Sequence, residues 1–175
     1  MELFIARQPI FTQQQQVYAY ELLFRSGTAN AFPEVDANHA SARVMVDSLC
    51  TLGLETLTGG KRAFINMTRD LLVGDYATLL PKDAAVIEVL ESVAPDEKVV
   101  AACQRLKEAG YTIALDDFTE KAAMAPLTAL ADIIKVDFLT TRPGERRALV
   151  KRYGPRGVRL LAEKVETPAA FQEAV

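Results

Sequence analysis

The sequence predicts an α/β fold of the TIM-type (β/α)₈-barrel kind, which opens with an antiparallel hairpin and lacks the last strand. From Ala63 on, short apolar strands alternate with helix-like segments at intervals of about twenty to thirty residues, as parallel strands with right-handed crossovers require. An open doubly wound sheet has the same pattern, but neither GxGxxG nor GxxxxGK follows a predicted strand. We count seven strands in 175 residues, whereas a closed barrel needs eight strands and typically ~250 residues.

The first elements are a hairpin and a helix. The segments Phe4 to Phe11 and Val17 to Phe24 are rich in aliphatic and aromatic residues, and the polar segment Thr12 to Gln16 between them predicts the turn. Asp36 or Asn38 then caps a predicted helix that ends at Gly53. Its apolar face consists of Ala40, Val44, Leu49 and Leu52.

Strands and helices alternate along the rest of the chain. The predicted strands are Ala63 to Met67, Ala84 to Leu90, Tyr111 to Phe118, Ala131 to Leu139 and Gly157 to Ala162. The predicted helices are a short one capped by Thr68, one from Pro95 and Asp96 through Ala109, a patch from Ala125 to Leu130, one from Arg142 to Tyr153, and one that begins at Thr167 and Pro168.

Composition restricts the class of protein. Half of the residues are apolar, which predicts one compact domain, and the net charge of −3 with scattered basic residues argues against binding to a nucleic-acid duplex. Cys50 and Cys103 have no CxxC spacing and predict free thiols in a reducing compartment. Neither a signal peptide nor an apolar run of ~18 residues is present. We therefore expect a soluble cytoplasmic protein without a membrane partner.

Polar residues interrupt the strands near their carboxyl ends. They are Glu21 in the hairpin and Asn66, Glu88, Asp116 with Asp117, Lys135 and Glu163 in the later strands. The carboxyl ends of barrel strands form one mouth, where such folds keep their active sites. Hard oxygen ligands without a Cys or His pair favour Mg²⁺ or Mn²⁺, and two such ions can activate water against a phosphodiester. Lys135 would orient that water or screen developing charge.

Two alternatives stay open at this point. Glu21 in a buried strand needs a partner, so it is either paired structurally with an arginine or placed for chemistry. Likewise, the whole set of polar residues is either a metal site or a network of structural ion pairs without a metal.

Seven segments of the chain form a recognisable series of motifs. They are RQPI at Arg7 to Ile10, ELLFR at Glu21 to Arg25, FINMT at Phe64 to Thr68, EVLE at Glu88 to Glu91, LDDF at Leu115 to Phe118, IKVD at Ile134 to Asp137 and AEKVE at Ala162 to Glu166. In order and spacing they resemble the motifs of one known family, the EAL domain. The resemblance implies a (β/α)₈-type barrel with one antiparallel strand. It also implies binding of the bacterial messenger cyclic di-GMP, which active members hydrolyse to linear pGpG with Mg²⁺ or Mn²⁺.

The resemblance implies a role for each polar residue. By position, Lys135 and Glu163 are catalytic, Gln8 and Arg25 contact the substrate, and the metal ligands are Glu21, Asn66, Glu88, Asp116 and Asp117, the last serving a second ion. Four segments are similar to the EAL half of EAL plus HDOD signalling proteins (YuxH-like), namely FIARQPIF, YELLFR, ALDDF and LLAEKVET. HDOD domains follow the EAL half in those proteins.

The chain also departs from active EAL domains. The segment Thr119 to Lys121 replaces a glycine-containing loop after the paired aspartates, Leu90 replaces a threonine, and Lys164 replaces the glycine of AEGVE. We therefore expect a degenerate domain that regulates by binding a ligand or a protein. The alternative is an active Mg²⁺- or Mn²⁺-dependent cyclic di-GMP phosphodiesterase.

The sequence predicts one EAL-type barrel domain over residues 1–175, truncated at its C-terminus before the family's last strand and late glutamine. An HDOD domain is expected downstream. A barrel without its last strand has two unpaired edges, which favour pairing with another chain. The expected partners are therefore cyclic di-GMP, an HDOD domain or another protein, and a second copy in a homodimer or strand-swapped oligomer.

Overall fold

The computed structural model describes residues 4–25, 49 and 53–175. Its strands are β1 (Phe4–Phe11), β2 (Val17–Arg25), β3 (Arg62–Met67), β4 (Ala85–Val89), β5 (Thr112–Leu115), β6 (Ile133–Asp137) and β7 (Arg159–Glu163). Its α-helices are α1 (Leu54–Thr58), α2 (Arg69–Val73), α3 (Glu97–Glu108), α4 (Ala125–Thr128), α5 (Pro143–Tyr153) and α6 (Pro168–Ala174). Short 3₁₀ turns lie at Tyr76–Leu79, Ala122–Met124 and Gly154–Arg156.

The seven strands form one sheet in the order of the chain, from β1 to β7. β1 pairs with β2 in an antiparallel hairpin, and every later neighbouring pair is parallel. This confirms the predicted hairpin and the predicted barrel-type sheet that lacks the final strand. Among the described strands, β1 and β7 each pair on one side only.

Side chains that alternate along the strands form two apolar layers, one on each face of the sheet. The outer layer packs the sheet against the helices, and it includes Ile65, Ile87, Ile113 and Ile134. The inner layer faces the concave side, and its buried members are Ile10, Ala19, Phe64, Val86, Ala114 and Ile133. Because successive side chains point to opposite faces of a strand, the residues two positions beyond this inner layer also face the concave side.

Local capping explains where the helices begin. The hydroxyl of Thr68 accepts a hydrogen bond from the backbone of Leu71, and Asp96 accepts from the backbone of Lys98 and Val99, as the sequence predicts. Gly110, just after α3, takes a left-handed conformation with φ of 90°.

Some elements differ from the sequence prediction. Gly53, predicted to end a helix, lies directly before α1, which the sequence did not predict. Of the predicted helix between Asp36 and Gly53, only Leu49 and Gly53 fall within the described residues. None of the described helices has the length and apolar character needed to cross a bilayer.

Candidate active site

A ring of polar side chains lies directly above the inner apolar layer. Each member follows a residue of that layer or of its partly buried border by two positions, so it faces the concave side at the carboxyl end of its strand. The members of this polar ring are Glu21, Asn66, Glu88, Asp116, Lys135 and Glu163. Gln8 lies at the same end of the sheet as this ring, because β1 is antiparallel to β2 and Gln8 pairs with Glu21.

Lys135 occupies the centre of the polar ring. Its Nζ donates to Asp116 Oδ1 at 2.8 Å and lies 3.4 Å from Glu21 Oε2. It also pairs with Glu163 Oε1 at 2.8 Å and closely with Glu88 Oε1. The Lys135 side chain is only 2% exposed, so these carboxyl groups, rather than water, surround its positive charge. The described partner of Glu21 is therefore this lysine together with Asn66, not an arginine.

The ring carries more negative than positive charge. Burial opposes ionisation of Lys135, but the surrounding carboxylates outweigh it and raise the pKa of its ammonium above the usual value. Burial raises the pKa of Glu88 well above its ordinary range, and the nearby Glu21 and Asp116 add to this effect. Burial likewise raises the pKa of Glu163 to about 7. The raised pKa values of Glu88 and Glu163 indicate that Lys135 alone does not balance the carboxyl groups of the ring, so a further cation would favour their ionised forms.

Two buried oxygens of the ring have no hydrogen-bond donor among the described residues. They are Oδ1 of Asn66 and Oε2 of Glu88, and the two residues lie directly opposite each other on β3 and β4. The amide nitrogen of Asn66 points to Glu21 Oε1 at 3.4 Å, which leaves its oxygen as a free acceptor. A buried acceptor without a donor is costly unless a cation or water binds it. The residues present therefore fit a hard divalent ion at this position.

A second acidic group lies at the edge of the ring. Oxygens of Asp116, Asp117 and Glu163 fall within 4.8 Å of one another, so these carboxylates could also hold an ion. Asp117 has φ of 37°, in the left-handed region that non-glycine residues rarely adopt. The backbone turn after β5 therefore directs two consecutive aspartates toward the same mouth.

Lys164 reaches this second group. Its Nζ makes a close ion pair with Asp137 Oδ2 and lies 3.4 Å from both oxygens of Asp117. The sequence identified Lys164 only as the replacement of a glycine and gave Asp137 no role in the site. The position of Asp137 at the end of β6, level with Glu163 on β7, was the signal that could have included it.

The loop after Asp117 is anchored to the end of α5. Glu120 accepts a hydrogen bond from the hydroxyl of Tyr153 at 3.1 Å and pairs with Arg152 at 2.7 Å. Phe118 packs edge-on against the Tyr153 ring, with centroids 5.8 Å apart. The segment Thr119 to Lys121, which lacks the family's glycine, is thus held by its own contacts on the outside of the sheet.

A cleft of about 1090 Å³ opens beside the polar ring, between the hairpin and α6. Gln8, Glu21, Asp116, Lys135 and Glu163 are among the residues that line it. Gln8 is exposed, whereas Arg25 ends β2 and its side chain lies outside the described part of the structure. The structure therefore brings together all the predicted site residues whose side chains it describes.

Solved structures of EAL proteins show the same architecture. The PaMucR phosphodiesterase in its c-di-GMP complex superposes with a TM-score of 0.79 at 20% identity, over 99% of this chain and 90% of that chain. The Bacillus subtilis YkuI protein, whose EAL domain was solved with the substrate c-di-GMP and calcium, gives 0.76 at 18% identity, over 98% and 51%. The chain thus has the EAL-domain fold, which confirms the resemblance predicted from the sequence motifs.

Sequence relatives agree with this assignment. The chain is 39% identical to the uncharacterized protein YuxH of Bacillus subtilis over 180 residues, which is all of this chain and 44% of YuxH. It is 35% identical to the cyclic di-GMP phosphodiesterase CdgJ of Vibrio cholerae over 174 residues, or 98% of this chain and 40% of CdgJ. The chain therefore spans less than half the length of these curated relatives. No protein-family profile matches the chain.

Proposed function

We propose that this chain is a regulatory EAL domain of a bacterial cyclic di-GMP signalling protein, which binds the messenger or a protein and hydrolyses cyclic di-GMP slowly or not at all. The observation that carries this proposal is the anchoring of the loop after Asp117 by Glu120 to Tyr153 and Arg152. The resemblance implies a glycine-containing loop here in active members. A misplacement of about 1 Å near reacting groups can cost roughly 10²-fold in rate.

The cleft supports binding of a cyclic dinucleotide. Its volume of about 1090 Å³ suits a ligand of this size. The relatives support the ligand class, because CdgJ is named a cyclic di-GMP phosphodiesterase and YkuI was solved with c-di-GMP. In this proposal the exposed amide of Gln8 and the side chain of Arg25 contact the ligand.

Charge makes this binding dependent on a metal ion. A phosphodiester is an anion, and the four carboxylates of the polar ring repel it despite Lys135. Mg²⁺ or Mn²⁺ held by Glu21, Asn66, Glu88 and Asp116 would offset this repulsion and polarise the phosphodiester. Lys135 keeps these carboxylates in place, and Glu163 holds Lys135 from the other side.

Calorimetry with cyclic di-GMP tests the binding part. We expect heat of binding in Ca²⁺, which replaces the catalytic ion without supporting turnover, and none in EDTA. Glu21→Gln should abolish the Ca²⁺-dependent heat, whereas Glu55→Gln, a change in an exposed residue of α1, should leave it unchanged. Equal heats for Glu21→Gln and the native chain would contradict the assignment of the site.

Active phosphodiesterase is the second candidate function. It is favoured by the retained polar ring and by the name of CdgJ. Incubation with cyclic di-GMP and Mn²⁺, followed by chromatography for pGpG, distinguishes the two candidates. We expect product only at enzyme concentrations close to that of the substrate. Full conversion at catalytic enzyme levels would establish the phosphodiesterase and overturn the regulatory proposal.

Protein binding is the other part of the regulatory proposal. Among the described strands, β1 and β7 each have one unpaired edge, and these edges flank the cleft. Phe11 at the end of β1 is 53% exposed. We propose that an HDOD domain or a second copy of the chain covers this side. Light scattering after gel filtration should show self-association of the chain, which Phe11→Lys weakens and Val150→Lys, on exposed α5 surface, does not. A strictly monomeric chain at high concentration would contradict coverage by a second copy.

A further inference from the structure

We propose that the ammonium of Lys164 takes the place of a second divalent ion, so that this domain binds one metal ion where the sequence resemblance predicts two. The inference deepens the proposed metal-dependent site and rests on it. It concerns Lys164, which neither the relatives nor the sequence motifs assign to the metal site. Its consequence is a binding stoichiometry that can be measured without any nucleotide.

The two positions differ in what their oxygens already bind. At the first position, Asn66 Oδ1 and Glu88 Oε2 are buried and have no donor among the described residues. Beside the second position, Asp137 Oδ1 accepts hydrogen bonds from the backbone N–H groups of Leu139 at 2.6 Å and Thr140 at 3.0 Å. Asp137 Oδ2 is taken by Lys164. The first position therefore keeps two free acceptors for an ion in addition to the oxygens that Lys135 binds, whereas Asp117 at the second position and the adjacent Asp137 are already paired with Lys164.

Asp117 shares this built-in cation. Both of its oxygens lie 3.4 Å from Lys164 Nζ, the range of a direct ion pair. A divalent ion bound between Asp116 and Asp117 would face this ammonium at close distance, where like charges repel strongly. We expect this repulsion to weaken a second ion at least roughly tenfold.

The backbone supports a specific role for Lys164. Lys164 has φ of 54°, in the left-handed region that glycine adopts without strain. The resemblance predicts glycine at this position, so the chain keeps the left-handed turn while it adds a charged side chain. That side chain, at the end of β7, pairs with Asp117 in the turn after β5 and with Asp137 at the end of β6.

Lys164 and Asp137 form a close ion pair, and Asp117 adds a second carboxylate to the same ammonium. A metal ion that used these carboxylates would have to displace this ion pair.

Metal stoichiometry tests the proposal. The full chain is dialysed against Mn²⁺, and bound Mn²⁺ is counted by electron paramagnetic resonance of the free ion. We expect one ion per native chain and two per Lys164→Met or Lys164→Gly chain. Lys164→Arg, which keeps the charge, should still bind one. Lys121→Gly, a change in an exposed lysine of the nearby loop, is the matched control and should also bind one.

The outcomes separate this inference from the proposed function. Two ions per native chain, or one ion per folded Lys164→Met chain, would overturn the inference alone. If Lys164→Met does not fold by circular dichroism, Lys164→Gln replaces it in the same comparison. Absence of bound Mn²⁺ in every variant would overturn both the inference and the metal-dependent function. One bound ion together with no binding of cyclic di-GMP would overturn only the proposed ligand.

Discussion

Asn66 on β3 lies directly opposite Glu88 on β4, and each carries one buried oxygen that accepts no hydrogen bond from the described residues. The amide nitrogen of Asn66 is oriented toward Glu21, so the amide oxygen is presented to the interior of the polar ring. These two oxygens differ from most buried acceptors in proteins, which receive a hydrogen bond from a donor. The pair therefore marks the position where we propose that a metal ion binds.

Replacement of Asn66 by leucine should weaken Mn²⁺ binding about 10- to 100-fold, the usual cost of disturbing the groups around a metal. The ion-free protein should keep most of its stability, because the substitution removes an acceptor that no donor satisfies. Calorimetric titration with Mn²⁺ measures the affinity. Gln104→Leu changes an exposed amide on α3 and should titrate like the native chain. Unchanged Mn²⁺ affinity in Asn66→Leu would exclude the amide oxygen as a ligand.

Replacement of Lys135 by methionine should destabilise the fold by about 3–5 kcal/mol, because it leaves four carboxylates without their buried cation. Urea denaturation measures the free energy of unfolding. Addition of Mn²⁺ should restore part of the loss, since the ion supplies positive charge to the same carboxylates. Lys151→Met on the exposed side of α5 is the matched control and should change stability by less than about 0.5 kcal/mol. A Lys135→Met chain as stable as the control would show that the ring does not depend on this charge.

Replacement of Glu120 by glutamine should loosen the loop that follows Asp117. The lost pair with Arg152 is largely exposed, so the cost in stability should stay within about 1 kcal/mol. The sensitive measurement is limited trypsin digestion, because Lys121 follows directly in the loop and cleavage there requires local opening. We expect cleavage after Lys121 to become faster, whereas Glu97→Gln at the start of α3 leaves it unchanged. Equal cleavage rates would mean that Glu120 does not anchor the loop.

Cys103 should react slowly with thiol reagents in the folded chain. It is fully buried on α3, and this burial raises the pKa of its thiol from 9.0 to about 11. The thiolate is the reactive form, so at pH 8 its fraction falls roughly hundredfold relative to an ordinary cysteine, in addition to the lack of access. Mass spectrometry of the peptide containing Cys103, after alkylation of native and urea-unfolded chains, measures the difference.

The same pKa shift sets a direction for stability at high pH. A folded pKa above the unfolded one means that the contribution of Cys103 to stability is complete below about pH 9 and is lost as pH rises toward about 11. Cys103→Ala removes this thiol and should make the unfolding free energy less sensitive to pH between those values. An equally steep pH dependence in Cys103→Ala would assign the effect to other groups.

The polar ring could be predicted because it follows from the period of a strand. Each ring residue interrupts an apolar run in phase with a core residue two positions earlier, as Glu88 does with Val86, so sequence order alone assigns its face. Strand and helix ends were less certain. The short helix α1 follows Gly53 directly, and five residues give too little periodicity to detect it.

The contacts of Lys164 and Glu120 could not be predicted from the sequence. Both side chains leave turns, and their direction depends on backbone angles such as the φ of 54° at Lys164. Their partners lie 27 and 33 positions away, in Asp137 and Tyr153, on elements that only the folded sheet brings close. The sequence marked both positions as departures from the family, whereas their chemical effect depends on tertiary geometry.

The neighbour-to-neighbour order of the seven strands has a consequence for how the chain folds. Each described strand pairs only with the strand next to it in the chain, so every pairing closes a loop of modest length. This order keeps the loops between paired strands shorter than a rearranged strand order would. During synthesis, each new strand can join the growing sheet as it leaves the ribosome, starting from the hairpin. The polar ring would then be assembled stepwise, and Lys135 on β6 would reach the carboxylates of Glu21, Glu88 and Asp116 only after they are already side by side.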